Sequence, residues 1–117
     1  SYVAQGAHQD GIQMEWGSNQ VVRHNTVLMN VDGANSAIWV SWQEHRNIRI
    51  EDNLLAGASF TLGAGGGGPN ANYDTHVTNN RISTRYYPRG GYYGPFTYTD
   101  GAVLTGNVWH ESGLPVS

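Results

Sequence analysis

The feature that most constrains this chain is a short pattern that occurs four times at a nearly constant interval. Each copy has an aliphatic residue, two further residues, an asparagine, one further residue and a bulky apolar residue. The copies span residues 22–27, 50–55, 77–82 and 104–109, and their asparagines are Asn25, Asn53, Asn80 and Asn107. The successive intervals are therefore 28, 27 and 27 residues. A period of this length, made of short strands and turns, predicts a β-solenoid.

A second set of strands precedes the asparagine segments, at residues 11–15, 37–41, 59–63 and 96–99. In these segments bulky residues alternate with polar or small ones, which is the pattern of a half-buried strand. By parity we expect one set to point inward: Ile12, Met14, Ile38, Val40, Phe60, Leu62, Phe96 and Tyr98. The other set should point outward: Gln13, Glu15, Trp39, Ser41, Thr61, Gly63, Thr97 and Thr99. A shift of one residue would exchange the two faces.

Together these patterns predict an all-β fold, a parallel β-helix of about four coils, that occupies residues 1–117 as a single domain. Turn-forming residues stand six positions before each asparagine of the repeat, at Asn19, Asn47, Asp74 and Gly101. The four asparagines have two interpretations, a ligand-binding groove or an internal ladder of stacked carboxamides. We favour the ladder, because one asparagine in every coil is what a parallel stack produces.

The segment from His8 to Gln13, with Asp10, Gly11 and Ile12 between them, resembles the H-x-D-G-I-Q segment that is common in bacterial secreted members of the right-handed parallel β-helix repeat family, the pectate-lyase-like superfamily. This resemblance, together with the asparagine segments, implies a right-handed parallel β-helix. The superfamily contains polysaccharide lyases, hydrolases, epimerases, phage tailspikes and non-catalytic modules. Its members are usually longer, so we expect this chain to resemble a C-terminal portion of one, as a fragment of a longer solenoid or with its first coil covered by another chain.

Composition excludes several classes of function. The chain has no cysteine, so disulfides and thiolate metal sites are excluded. All six basic residues are arginines, which removes any lysine base, and the net charge of −3 argues against nucleic acid as a partner. No apolar run reaches the ~20 residues that span a bilayer, so no membrane partner is expected.

The candidate catalytic residues are His8, Asp10 and Glu15, because histidine and carboxylates serve as general acids and bases. Asp10 and Glu15 could instead hold Ca²⁺ weakly, and we expect no obligatory cofactor and no zinc. In a second interpretation Asp10 and Gly11 form an ordinary turn that His8 caps. Lyase chemistry and glycoside hydrolysis both stay open, since a hydrolase would need two carboxylates about 5–9.5 Å apart.

The candidate substrate-binding residues lie on the outward face of the first strands and on a tyrosine-rich loop. An outward-facing indole or phenol can stack on the apolar face of a sugar ring. The set consists of Gln13, Trp39, Thr61, Tyr86, Tyr92 and Arg85. Alternatively, Trp39 is covered or its register is shifted, and the tyrosines cap the open end of the solenoid.

Together with these features, the resemblance implies a secreted protein that acts on polysaccharide or oligosaccharide as a lyase or glycoside hydrolase. The first alternative is a non-catalytic carbohydrate-binding module. The second is a structural, self-associating solenoid of a fibre or appendage, because unpaired strand edges at the open ends favour association.

Overall fold

The structure, a computed structural model, describes residues 10–14, 17–30, 36–40, 45–65 and 72–116. Twelve strands lie in these ranges: β1 (Asp10–Met14), β2 (Gly17–Arg23), β3 (Thr26–Met29), β4 (Ser36–Val40), β5 (His45–Glu51), β6 (Leu54–Gly57), β7 (Phe60–Gly63), β8 (Asn72–Thr78), β9 (Arg81–Ser83), β10 (Gly94–Thr97), β11 (Ala102–Thr105) and β12 (Val108–Trp109).

The strands form three parallel sheets, each with one strand from every coil. Sheet 1 has the order β1-β4-β7-β10, sheet 2 has β2-β5-β8-β11, and sheet 3 has β3-β6-β9-β12. Each strand therefore pairs with its counterpart one coil further along the chain, and no described strand pairs with its immediate successor. This is the topology of a parallel β-helix of four coils, as the repeat predicts.

The core is a set of aliphatic rows that run along the solenoid axis. In sheet 1, Ile12 pairs with Ile38, Ile38 with Leu62, and Leu62 with Phe96, so that the inward row predicted from parity is confirmed. Ile38 and Leu62 are completely buried. Sheets 2 and 3 contribute further buried residues, which are Val27, Met29, Ile48, Ile50, Leu55, Val77 and Ile82. Each coil thus covers the apolar surface of its neighbour.

The corner between sheets 2 and 3 has the same form in all four coils. Two residues connect the strands, a residue with positive φ followed by the repeat asparagine. The positive-φ residues are His24, Asp52, Asn79 and Gly106, with φ from 56° to 68°. Glycine, asparagine and aspartate adopt this left-handed conformation with little strain, which explains three of the four choices. The asparagine segments are therefore two strands separated by a corner, so a coil has three strands where the sequence patterns distinguish two registers.

The repeat asparagines form the predicted ladder. The Nδ2 atom of each donates to the Oδ1 atom of the next, over 3.3 Å from Asn25 to Asn53, 2.9 Å from Asn53 to Asn80 and 3.0 Å from Asn80 to Asn107. The same Oδ1 atoms also accept from the backbone N–H of the preceding asparagine, at 2.9–3.1 Å. We call this feature the asparagine corner.

The turn formers Asn19, Asn47, Asp74 and Gly101 also have positive φ, between 56° and 79°. The first three lie inside β2, β5 and β8, so they bend these strands instead of preceding them. Asn47 donates from Nδ2 to Oδ1 of Asn19 over 2.8 Å, a second but exposed contact between coils.

The corner between sheets 3 and 1 differs from coil to coil. Where the structure describes it completely, the connection is residues 58–59 in one coil and residues 84–93 in the next. The backbone of the longest connection is bonded to the coil before it. Tyr92 and Tyr93 donate to the carbonyls of Ala58 and Ser59 over 2.9 and 2.8 Å. The N–H of Gly57 donates to the carbonyl of Gly90 over 2.9 Å. We call residues 84–93 the tyrosine loop.

Two of the orientations expected from parity are wrong, and one residue expected on the outer face is covered. Tyr98 follows the end of β10, has a φ of 53° and is 39% exposed, because the left-handed residue ends the strand alternation. Phe60 is half-buried at the surface and contacts Tyr93. Thr61 is completely buried because the tyrosine loop covers it, and its hydroxyl donates to the carbonyl of Gly57 over 3.2 Å.

Candidate functional site

The outer face of sheet 1 carries a cleft of about 230 Å³ that is bordered by aromatic rings. The indole of Trp39 and the phenol of Tyr98 form one side, edge to face, with ring centroids 5.5 Å apart. The remaining described lining residues are Ser36, Ser59, Phe60 and Thr97. The cleft therefore combines three aromatic rings with three aliphatic hydroxyls, and none of the described residues that line it is charged.

The row of residues that faces outward on sheet 1 explains why the cleft forms. Gln13 pairs with Trp39, Trp39 with Gly63, and Gly63 with Thr97. A Cβ atom on Gly63 would lie only 2.3 Å from Cε3 of Trp39. The indole therefore lies flat over the glycine of the next coil, where any other side chain would displace it. The outward orientation of Trp39 expected from parity is confirmed, and the ring is half-buried.

A row of tyrosines extends the aromatic surface from Phe60 onto the tyrosine loop. The centroid of Phe60 lies 5.7 Å from that of Tyr93, Tyr93 lies 4.9 Å from Tyr92, and Tyr92 lies 5.7 Å from Tyr87. Tyr92 and Tyr93 are 62% and 60% exposed. Such large exposed rings on the surface of a folded domain are typical of a binding surface.

The predicted catalytic residues fall largely outside the described part of the chain. His8 and Glu15 lie outside the described residues, and of Asp10 only the backbone is described, in β1 beside Ser36. Their roles as acid, base or weak calcium ligands therefore stay predictions. Among the described residues no three histidine or acidic side chains are grouped as metal ligands would be.

The predicted binding residues do not form one set. Gln13 is exposed and Trp39 borders the cleft. Thr61 is buried, so the expectation that it lines an accessible face is wrong. Tyr92 lies on the aromatic row. Arg85 and Tyr86 lie instead at the other end of the tyrosine loop, next to sheet 3, with the guanidinium carbon of Arg85 5.6 Å from the centre of the Tyr86 ring.

The sequence patterns missed Tyr98 and Phe60 as lining residues, because both were assigned to the core by parity. Tyr93 belongs to the tyrosine-rich segment, but nothing in the sequence indicated that its ring contacts Phe60. The signal that could have identified Tyr98 is the change of pattern directly after it, where a threonine, an aspartate and a glycine are the next three residues. Such residues are typical of a turn, where strand parity no longer applies.

The outer face of sheet 2 carries ion pairs. The guanidinium of Arg23 pairs with the carboxylate of Glu51 in the next coil. Asp74 accepts from His76 over 2.7 Å and lies 3.3 Å from the guanidinium of Arg49. The hydrogen bond from His76, and then that from Arg49, lower the pKa of the exposed Asp74 carboxyl below its usual value. Pairs within one strand or between neighbouring coils account for these groups, so they give no reason to place a ligand on this face.

No protein-family model matches the sequence, and no curated protein or solved structure matches it either. Within the described ranges there is also no helix long and apolar enough to cross a membrane.

Proposed function

We propose that this protein binds polysaccharide through the aromatic cleft on sheet 1. The observation that carries the proposal is the paired Trp39 and Tyr98 rings beside hydroxyl-bearing residues in one cleft. One face of a sugar ring presents mainly C–H groups, which stack on an aromatic ring, while its edge presents hydroxyls that require hydrogen-bond partners. Aromatic side chains and small hydroxyl groups supply both.

The exposed row from Phe60 through Tyr93 to Tyr92 extends the cleft and would give an extended ligand further rings to stack on. A chain of sugars repeats the same apolar face at intervals, so binding at several rings raises the affinity by the multivalent effect. The described residues that line the cleft are uncharged, which favours a neutral glycan over an acidic one.

Catalysis is a separate proposal. A lyase or glycoside hydrolase activity would use His8, Asp10 and Glu15, and secretion and membership of the pectate-lyase-like superfamily rest on the sequence segment that contains them. The binding proposal does not need these residues. A self-associating solenoid is the remaining alternative from the sequence, and it predicts no glycan binding at the cleft.

The test is a binding measurement by calorimetry with neutral and acidic oligosaccharides, and separate assays of the same samples for new reducing ends and for unsaturated ends detect any cleavage. We expect Trp39→Ala to weaken binding about tenfold, which corresponds to about 1.4 kcal/mol, without loss of the fold. Val21→Ala is the control, because Val21 is an exposed apolar residue (55%) on sheet 2, away from the cleft. Unchanged binding by Trp39→Ala would overturn the proposed site, and unfolding of that variant would place Trp39 in the core.

A further inference from the structure

A second and larger groove lies on the outer face of sheet 3, on the other side of the tyrosine loop from the aromatic cleft. Its volume is about 660 Å³, and its lining residues are Leu28, Leu54, Ser83, Arg85, His110 and Glu111. Two aliphatic side chains and three ionisable ones thus face a common space. The proposed polysaccharide site uses none of these residues.

The groove is built by the register of sheet 3. Leu28 pairs with Ala56, and Ala56 with Ser83. The N–H of His110 donates to the carbonyl of Ile82 over 2.9 Å, which places His110 next to Ser83 in the last coil. The outward residues of sheet 3 therefore change along the solenoid axis from the apolar Leu28 in the first coil to the polar His110 in the last. Small residues in the middle coils leave space between these two ends.

The carboxylate of Glu111 is already engaged by the protein. One oxygen accepts from the hydroxyl of Ser83, which is buried, and the other accepts from the N–H of Thr84 over 2.9 Å. Partial burial raises the pKa of Glu111, but the hydrogen bonds from Ser83 and Thr84 outweigh it and lower this pKa to about 2. Glu111 is therefore a fixed negative charge at the edge of the groove. The hydroxyl of Ser83 donates a hydrogen bond to this charge.

The side chains of Arg85 and His110 have no such partners. The guanidinium of Arg85 lies over the ring of Tyr86, and within the described part of the chain it forms no ion pair. The imidazole of His110 has no hydrogen-bond partner among the same residues. Both oxygens of Glu111 have their own donors, and this leaves the five N–H groups of Arg85 for a ligand.

We propose that this groove binds a small organic monocarboxylate whose body is apolar. The carboxylate would accept from Arg85, which suits carboxylates because its planar fork can donate two parallel hydrogen bonds. His110 supplies a further donor at the same end, and Leu28 and Leu54 provide an apolar surface for the body of the ligand. The guanidinium of Arg85 compensates the charge of one carboxylate, and the fixed charge of Glu111 then disfavours a second, so dianions should bind less well.

The test is a titration by calorimetry and by NMR with cyclohexanecarboxylate as the probe. Cyclohexanecarboxamide has the same shape without the charge, cyclohexane-1,4-dicarboxylate adds a second charge, and glucuronate replaces the apolar body with a polar one. We expect cyclohexanecarboxylate to bind at least tenfold more tightly than each of the other three. Amide signals of residues 83–85 and 110–111 should shift, and the indole signal of Trp39 should not.

The matched variants are Arg85→Gln and Arg89→Gln. Both arginines are exposed on the tyrosine loop, but only Arg85 lines the groove. We expect Arg85→Gln to weaken binding of the probe at least tenfold and Arg89→Gln to leave it unchanged, with both variants folded by circular dichroism. Equal binding of the carboxamide, tighter binding of glucuronate, equal losses in the two variants, or no binding of the probe would each overturn the proposal. None of these results bears on the polysaccharide site, which Trp39→Ala tests.

Discussion

The asparagine corner joins sheets 2 and 3, and the corner that carries the tyrosine loop joins sheets 3 and 1. The two corners differ in how much the length of the connection varies between coils. At the asparagine corner every connection has two residues, and at the other corner the connections range from residues 58–59 to residues 84–93. The first corner is closed by buried hydrogen bonds between side chains, whereas the second presents exposed aromatic rings. The constant corner therefore holds the stack together, and the variable corner can carry long insertions with exposed rings.

The cost of breaking buried hydrogen bonds explains why every coil has an asparagine at this corner. Asn80 donates from Nδ2 to the carbonyl of Ile50 over 2.9 Å and to Oδ1 of Asn107 over 3.0 Å. Its own Oδ1 accepts twice from Asn53. All four hydrogen-bonding positions of the carboxamide are thus used in a site without water access, where an unmade bond costs about 1–3 kcal/mol.

The largest expected effect is therefore at this corner. We expect Asn80→Ala to lower the free energy of unfolding by about 3 kcal/mol, because the N–H of Asn53 and the carbonyl of Ile50 lose buried partners. Asn30→Ala, at an exposed asparagine outside the ladder, should change it by less than about 0.5 kcal/mol. Urea denaturation measures both. Similar values for the two variants would mean that the ladder carries no special stability.

An intermediate effect is expected where the tyrosine loop packs on the solenoid. Gly90 has a φ of 86°, and a Cβ atom there would lie 2.6 Å from Cγ2 of Ile82. Gly113 has a φ of 75°, and nothing lies within 4 Å of its added Cβ. Both alanine substitutions strain the backbone, by about 1 kcal/mol, and only Gly90→Ala also creates a clash.

We expect Gly90→Ala to lower the free energy of unfolding by about 2–3 kcal/mol and Gly113→Ala by about 1 kcal/mol. Thermal unfolding measures the stability of both variants. The difference between them gives the free-energy cost of the clash at Gly90, because both variants share the cost of backbone strain. If the two alanine variants lose the same free energy of unfolding, the tyrosine loop does not pack against Ile82 as described.

The smallest effect concerns Glu111, which joins the segment after β12 to the start of the tyrosine loop. Hydrogen bonding lowers its pKa from 4.5 to about 2 in the folded chain. The stability that it contributes is therefore present above about pH 4.5 and is lost as the pH falls towards 2. Because the group is exposed, we expect less than about 1 kcal/mol.

The Glu111→Gln variant reveals this contribution. The difference in free energy of unfolding between the parent and the variant should be positive at pH 7 and should diminish between pH 4.5 and 2, as measured by urea denaturation across that range. A difference that is independent of pH would show that the carboxylate is not held by Ser83 and Thr84.

The sequence predicted the constant corner well because its constraint is local and repeated. One asparagine in every coil, at intervals of 28, 27 and 27 residues, is sufficient to infer both the stack and the ladder. Strand parity likewise identified Trp39 as outward and Ile38 and Leu62 as core residues.

The variable corner was predicted poorly because its contacts join residues that are distant in sequence. Parity places Thr61 on the outer side of its strand, but only the packing of Gly90 shows that the position is covered. The groove on sheet 3 was missed because Leu28 and Leu54 are typical core residues in sequence. Whether these two side chains are exposed depends on the residues one coil away, and the alternation within one strand carries no information about those residues.

The most direct test observes both corners in one experiment, a ¹⁵N–¹H NMR titration with a neutral oligosaccharide. The spectrum contains the indole N–H signal of Trp39 and the carboxamide signals of Asn53 and Asn80. We expect the Trp39 signal to shift with added sugar while both carboxamide signals stay in place. Movement of the asparagine signals with a constant Trp39 signal would show that the asparagine corner binds the ligand, and it would contradict the division between a structural and a binding corner.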